Sequence, residues 1–374
     1  MILKKTLLII VLISMLFVFA CGPKAIVQRT GLDTPENHVA NGNKLLKANK
    51  IDAALREFTK AKELDPKYSP AYVGLGLVYG FEEDFERAFH NLEYASIFAA
   101  GDDQKVAIHI GYMRLNIMKR ENAQKKWLEK VKESYKQAIK IAPDLPEPHF
   151  FMGVAYKMSF MFNQAVNQFA KVLELDEEYI KETEREYYVI RKIQSAMPLS
   201  KVGRKIALLD EITRADIAAL FIEELRIDEL FAKHAPKEFD VSNNIHPLTD
   251  INDHTLKTDI HMIIKYEIEG LKPFPDHTFK PYQMITRAEY AMMIEDILIK
   301  ITRDDKLAAE FIGKESPFPD LRNDLPYFNA AMICTTRGIM AVKDHKTREF
   351  DPYGFITGAE SLLSIRTLET QLQK

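Results

Sequence analysis

The side chains best suited to chemistry in this sequence are two arginines, each directly after a threonine that starts a predicted helix. Arg214 lies in Ile-Thr-Arg-Ala-Asp (212–216) and Arg287 lies in Ile-Thr-Arg-Ala-Glu (285–289). A cation just inside a helix N-terminus is unfavourable, because the helix dipole favours negative charge there. An exposed guanidinium offers a planar set of donors to a carboxylate or phosphate. Something other than helix formation therefore selects these two arginines.

Signatures of catalysis are absent from the sequence. The ten histidines are scattered, without a His-x-x-x-His pair or a His/Cys cluster of metal-binding spacing. Neither a Gly-x-Ser-x-Gly motif nor a phosphate-binding loop occurs. A net charge of −3 gives no general attraction to nucleic acid. We predict a protein that is not an enzyme, needs no cofactor or metal, and does not bind nucleic acid.

The first residues have the pattern of a secretory signal. Lys4 and Lys5 precede an apolar run over residues 7–20, which is interrupted only by Ser14. Such a run is too short to span a bilayer comfortably, since a membrane helix needs about 20 apolar residues. We predict a signal peptide over residues 1–20.

The residue that follows the apolar run is a cysteine. The segment Val-Phe-Ala-Cys-Gly (18–22) resembles the lipobox of bacterial lipoproteins, although Phe19 stands where a small residue is usual. This resemblance implies that Cys21 becomes the lipidated N-terminus and that residues 21–34 form a flexible tether. The alternative is an ordinary cleaved signal with an incidental cysteine. If Cys21 carries lipid, Cys334 has no partner for a disulfide.

Residues 35–186 contain a repeat with a period of 34 residues. Five positions recur in the first two copies: Gly42, Leu45, Ala54, Phe58 and Ala61 are followed by Gly76, Tyr79, Ala88, Leu92 and Ala95. A later copy is centred near Gly153, and a stretched copy near Gly111 needs extra residues in Lys119–Lys126. Small residues allow two antiparallel helices to approach closely, and the larger ones fill the space around them.

This pattern resembles the tetratricopeptide (TPR) repeat family. The resemblance implies an all-α solenoid of helical hairpins with a groove that binds a protein partner. The alternative is an unrelated helical bundle.

Residues 187–374 contain a different repeat, with copies at about 187–235, 246–300 and 316–370. Ile-Thr-Arg-Ala-Asp returns as Ile-Thr-Arg-Ala-Glu and then as Ile-Thr-Gly-Ala-Glu, and a Phe-x-Pro turn precedes the last two. The combination resembles the S-layer homology (SLH) domain. It implies an all-helical, three-lobed prism whose first lobe is shortened here, and whose ligand is anionic cell-wall polysaccharide or peptidoglycan.

Several residues of this second repeat are explained by helix capping alone. Thr286 with Glu289 forms the sequence pattern of a capping box, in which each side chain binds a backbone N–H group at the helix start. The other predicted caps are Thr213 with Asp216 and Thr357 with Glu360.

The SLH resemblance also assigns binding residues. It implies that wall polysaccharide contacts the residues Arg214, Arg287, Thr286, Asp250 and Asp320. Gly358 replaces the arginine of the third copy, so we expect at most two working grooves. The alternative for the arginines is an intramolecular salt bridge to Asp250 or Asp320.

Together these features predict a lipid-anchored adaptor of the bacterial envelope. The lipid would lie in the inner face of an outer membrane, or in the outer face of the plasma membrane if the host has one membrane. The SLH-like repeats would hold the wall while the TPR-like repeats bind a protein. The alternative is an accessory factor for envelope assembly or secretion, in which the SLH-like region is only a scaffold.

Overall fold

The computed structural model describes residues 33–121, 126–175, 179–234 and 247–372. The predicted signal peptide, Cys21 and most of the predicted tether lie outside these residues. In the described ranges every regular element is a helix, accompanied by two isolated β-bridges. The chain divides into two compact units between Glu186 and Tyr187. We call them unit 1 and unit 2.

Unit 1 consists of consecutive helical hairpins. Its helices are α1 Pro35–Lys47, α2 Ile51–Leu64, α3 Ser69–Phe81, α4 Phe85–Phe98, α5 Asp102–Met118, α6 Trp127–Ile141, α7 Pro146–Met158, α8 Phe162–Leu175 and the first part of α9 Ile180–Ala196. The helices pair as α1 with α2, α3 with α4, α5 with α6 and α7 with α8.

Local sequence signals set the helix ends. Thr34 precedes α1, and its hydroxyl accepts a hydrogen bond of 3.2 Å from the backbone N–H of Asn37. Pro35 then occupies the first helical turn, where its missing N–H costs nothing. Asn49 and Glu83 adopt the left-handed conformation in the tight turns of the first two hairpins, at positions 34 residues apart.

One side chain from the second helix of a hairpin fits between the first helices of two successive hairpins. A Cβ added to Gly42 of α1 would lie 2.6 Å from the Phe58 ring, and one added to Gly74 of α3 would overlap the same ring. Leu92 of α4 likewise lies against Gly76 of α3 and Gly111 of α5. The glycines therefore let each second-helix side chain hold two first helices in register.

The third hairpin departs from the regular repeat where the sequence predicted extra residues. Its first helix α5 has 17 residues, against 13 in α1, α3 and α7. A 3₁₀ turn over Lys119–Glu121 follows, and α6 begins at Trp127. The insertion therefore lengthens one helix and one connection without removing the hairpin.

Unit 2 is built from shorter helices. They are the last part of α9, then α10 Lys201–Ile206, α11 Arg214–Glu223, α12 Ile227–His234, α13 Lys257–Ile263, α14 Arg287–Thr302, α15 Phe328–Thr336 and α16 Gly358–Leu372. Helices α11, α14 and α16 start at the three Ile-Thr-x-Ala strings.

Backbone hydrogen bonds link the three copies of unit 2 in cyclic order. The N–H of Ile285 in the second copy donates to the carbonyl of Ile212 in the first, at 3.0 Å. The N–H of Ile356 in the third copy donates to Ile285, and the N–H of Gly358 returns to Leu209 of the first copy, both at 3.0 Å. The shortened first copy is therefore still long enough to close the ring.

The glycine contacts of unit 1 predict a large effect of one methyl group. Gly74→Ala should destabilise unit 1 by about 1–3 kcal/mol, because the new Cβ overlaps the buried Phe58 ring. Gly101→Ala is the matched control, since nothing lies within 4 Å of a Cβ there. Urea unfolding followed by fluorescence of Trp127, the only tryptophan and part of unit 1, measures the difference. Equal midpoints for both variants would contradict this packing.

Candidate functional site

The Arg214 side chain lies inside unit 2 and is 4% exposed. Its Nε donates to the carbonyl of Phe279 at 2.8 Å, and its two terminal nitrogens donate to the carbonyls of Gly270 and Lys272. The guanidinium also packs against the rings of Phe274 and Phe279. Burial lowers the pKa of Arg214 to about 10, which leaves the side chain charged at neutral pH.

Arg287 has the equivalent environment one copy later. Its side chain is fully buried, and its Nε donates to the carbonyl of Phe350 at 2.7 Å. One terminal nitrogen donates to the carbonyl of Ala341 at 2.7 Å, and the other forms an ion pair with Glu360. Both arginines therefore hold the turn of the following copy through its carbonyl groups.

The expectation that these two guanidinium groups are exposed is wrong. These N–H groups donate to backbone carbonyl oxygens of residues more than 50 positions away in the sequence. The hydrogen bonds offset the unfavourable interaction between a cation and the helix N-terminus. In this structure the side chains of Arg214 and Arg287 are buried and form hydrogen bonds within unit 2. Nor does either form an ion pair with Asp250 or Asp320 in the described residues, so the proposed salt bridges are wrong as well.

The glycine of the third copy has a steric explanation. A Cβ on Gly358 would overlap the carbonyl oxygen of Ile206. Ile206 lies six residues before Ile212, and Phe279 lies six residues before Ile285. Ile206 is therefore the first-copy equivalent of Phe279, whose carbonyl accepts a hydrogen bond from an arginine Nε. The backbone at Ile206 therefore fills the space that a side chain at position 358 would need.

The two aspartates that the SLH resemblance assigns to the ligand accept backbone hydrogen bonds within their own copies. Asp250 accepts from the N–H groups of Phe279 and Lys280 at 2.9 and 2.7 Å. Asp320 accepts from the equivalent pair in the third copy, Phe350 and Asp351. Each aspartate therefore stabilises the Phe-x-Pro turn of its own copy.

Two of the three predicted capping boxes are complete. Thr213 with Asp216, and Thr286 with Glu289, each exchange both hydrogen bonds of the motif. At the third helix start, the Thr357 hydroxyl accepts from the N–H of Glu360 at 3.1 Å. The Glu360 carboxylate does not complete the box, because it pairs with Arg287.

Exposed aromatic side chains follow the Phe-x-Pro turns. Tyr282 and Tyr353 come directly after the prolines of the second and third copies and are 72% and 71% exposed. Each lies against a second ring, His254 for Tyr282 and Tyr327 for Tyr353. The recurring string Phe-x-Pro-Tyr could have revealed these residues, which the sequence analysis missed.

Unit 1 has a groove along the first helices of its hairpins. It encloses about 450 Å³. Its residues come from α1, α3, α5, α7 and the start of α9: Asn43, Leu46, Lys47, Val73, Leu77, Ala107, Ile110, Gly111, Arg114, Glu147, Phe151, Tyr179 and Glu182. An apolar floor with polar groups at defined places suits a peptide or another small ligand.

The polar part of the groove surrounds Arg114 of α5. Its guanidinium lies over the ring of Phe151, 5.1 Å from the centroid. Glu147 accepts a hydrogen bond of 2.6 Å from the hydroxyl of Tyr179, and Lys47 lies 5.2 Å from the centroid of that tyrosine. Burial lowers the pKa of Arg114, and the nearby Glu147 and Tyr179 partly offset this shift.

No group of three or more His, Cys, Asp or Glu side chains is arranged to hold a metal ion in the part of the chain that the structure describes. None of the helices there is both long enough and apolar enough to cross a membrane.

Comparisons with known proteins add little to this description. No family model matches the chain, and no curated protein matches it. Among solved structures, it is similar to a crystal structure of YrrB, described as a TPR protein with an unusual peptide-binding site. The identity is 22%, the match covers 44% of this chain and 79% of that chain, and the TM-score is 0.25. With so low a TM-score, the assignment of unit 1 as helical hairpins rests on its own packing.

The buried arginines predict an effect on stability. Arg287→Ala should destabilise unit 2 by about 3–5 kcal/mol, because it leaves Glu360 and two carbonyl groups without their partner. The control is Arg322→Ala, since the Arg322 side chain is 77% exposed and its removal should leave the unfolding midpoint nearly unchanged. Urea unfolding followed by circular dichroism compares the two. An unchanged midpoint for Arg287→Ala would refute its structural role.

Proposed function

We propose that this protein is a non-enzymatic envelope lipoprotein that binds a protein partner in the groove of unit 1 and attaches to the cell wall through unit 2. The observation that carries the proposal is the groove, which runs across four hairpins and combines an apolar floor with charged groups. Arrays of helical hairpins present such surfaces to peptides and helices of other proteins. The TPR-like repeat in the sequence supports the same role.

Attachment to the wall is supported by the SLH-like repeat and by the two exposed tyrosines. Tyr282 and Tyr353 occupy equivalent positions in two copies, and each has a flat apolar face and a hydroxyl group. Such side chains suit sugar rings, which have apolar faces edged by hydroxyl groups. The wall polymer would be an anionic polysaccharide or peptidoglycan, and it would contact these tyrosines and not the buried arginines.

The second candidate function is an accessory factor for envelope assembly or secretion, with unit 2 as a scaffold. The burial of Arg214 and Arg287 favours it, because the residues assigned to the ligand by resemblance act as internal supports. In this case unit 1 alone would carry the function, and the wall would not be a ligand.

Sedimentation with purified wall sacculi separates the two functions. We expect the mature protein to pellet with sacculi, and the double variant Tyr282→Ala/Tyr353→Ala to bind about tenfold more weakly because both ring contacts are lost. Tyr188→Ala, which removes another exposed tyrosine of unit 2, is the control and should pellet normally. A wild-type protein that stays in the supernatant would exclude wall attachment and favour the accessory factor.

The lipid anchor predicts the number of free thiols. Cys334 is buried, and burial raises its pKa, so it should not react with a thiol reagent until the protein unfolds. If Cys21 carries lipid, the exported protein has one reactive thiol after denaturation. Two reactive thiols in the denatured exported protein would contradict lipidation. In either case, Cys334→Ser should lower the number of reactive thiols by one.

A further inference from the structure

We propose that unit 1 has a second binding site, on the side of α5 opposite the groove, which takes a small uncharged aromatic molecule that has both a hydrogen-bond donor and an acceptor. The site is a pocket of about 430 Å³ between α4, α5 and α6. It belongs to the stretched third hairpin and the hairpin before it. The inference does not depend on a protein partner in the groove.

The pocket and the groove use opposite faces of α5. Ala107 and Gly111 line the groove, whereas His109, Tyr112 and Asn116 line the pocket. Residues three or four apart share one face of a helix, and each residue is rotated by about 100° from the last. The two sets therefore lie on opposite sides of the same helix. A ligand in the pocket would leave the groove accessible.

One wall of the pocket is aromatic. Phe89 of α4 and Tyr112 of α5 have ring planes 22° apart and ring centroids 6.2 Å apart. Both side chains are half-buried, so part of each ring remains accessible. Aromatic rings prefer offset-stacked or edge-to-face contacts with other rings. This wall therefore favours a flat aromatic ligand over an aliphatic one.

Polar groups in the pocket can both donate and accept hydrogen bonds. Burial lowers the pKa of His109, and the nearby Glu133 offsets this shift only in part, so the imidazole is uncharged at neutral pH. A neutral imidazole provides one donor and one acceptor. The amide nitrogen of Asn116 donates to the carbonyl of Tyr112 at 2.8 Å, which orients the amide group, and Ser134 contributes a hydroxyl. A ligand with one donor and one acceptor matches this set.

The charges in the lining favour an uncharged ligand. Lys130 and Glu133 have opposite signs and lie on the same face of α6. Glu133 also accepts a hydrogen bond of 2.9 Å from the amide of Gln137. With His109 neutral, the lining has no net charge. An ion that entered the pocket would lose hydration without meeting a net opposite charge, and an uncharged ligand avoids this cost.

The size and the surroundings of the pocket favour a small molecule over a protein segment. Its volume lies within the range of roughly 300–1,000 Å³ that is typical of small-molecule sites. Residues one helical turn from the lining positions include exposed charged side chains: Glu86, Glu93, Lys105 and Glu129. A protein partner would need apolar surface that continues beyond the pocket, and these charges interrupt it.

An NMR titration of the purified protein with four probes tests the class of ligand. Benzimidazole is planar, uncharged at neutral pH, and has one donor and one acceptor. Benzoate is planar but anionic, benzylammonium is aromatic but cationic, and cyclohexanol is uncharged but not aromatic. We expect benzimidazole to bind with a Kd on the order of 1 mM, and each of the other three to bind about tenfold more weakly.

Two variants test whether the probe binds in this pocket. His109→Leu should weaken benzimidazole binding about fivefold, because a donor and an acceptor are lost. His90→Leu, which changes an exposed histidine of α4 outside the pocket, is its control and should bind normally. Ser134→Phe should abolish binding by filling the pocket, and Ser195→Phe, at an exposed position of α9, is its control. If Ser134→Phe fails to fold, the histidine pair still decides the location.

Three other outcomes overturn the inference. No binding of benzimidazole, or normal binding by both His109→Leu and Ser134→Phe, would reject the site. Equal or tighter binding of any comparison probe would reject the class of ligand. N-acetyltryptophanamide presents an aromatic ring attached to peptide groups. If it binds as tightly as benzimidazole or more tightly, the pocket holds an aromatic side chain of a protein and not a small molecule.

Discussion

The close contact between a second-helix side chain and the glycines of two first helices is the constraint on which unit 1 depends. The Phe58 ring touches α1 at Gly42 and α3 at Gly74, and Leu92 repeats this arrangement between α3 and α5. Because the ring and the leucine are buried, their volume fixes the spacing of the first helices. These same helices line the groove. The glycine contacts therefore set the shape of the proposed binding site without belonging to it.

In unit 2, a different interaction holds the three copies together. Each copy passes a backbone hydrogen bond to the next, and two of the three junctions are reinforced by a buried arginine. The third junction uses Gly358 because the backbone at Ile206 already occupies the space. Arg214 and Arg287, which the SLH resemblance assigns to ligand binding, thus stabilise the junctions between copies. The exposed surface of unit 2 instead presents Tyr282 and Tyr353 beside the same turns.

Much of the fold could be predicted from the sequence, because glycine and aromatic residues recur at one period and the helix starts carry their own caps. The insertion after α5 was also visible as a break in that period. The burial of Arg214 and Arg287 could not be predicted, since their carbonyl partners come from distant segments of the following copy. The helix dipole indicates that these arginines need a partner, but it does not identify carbonyl groups that lie far away in the sequence.

The groove could not be read from the sequence for a similar reason. Arg114, Phe151 and Tyr179 lie on different elements and share no motif, and their meeting follows only from the stacking of the hairpins. Tyr282 and Tyr353, in contrast, recur in the string Phe-x-Pro-Tyr, so a search for repeated exposed residues would have found them.

Photo-crosslinking in intact cells tests most directly whether the groove binds a protein. A photoreactive phenylalanine would replace Asn43, an exposed groove residue of α1, or Lys44, its exposed neighbour outside the groove. The account predicts a discrete protein adduct from position 43 and none from position 44, because successive helical residues point in different directions. Equal adducts from both positions, or none from position 43, would contradict a partner in the groove.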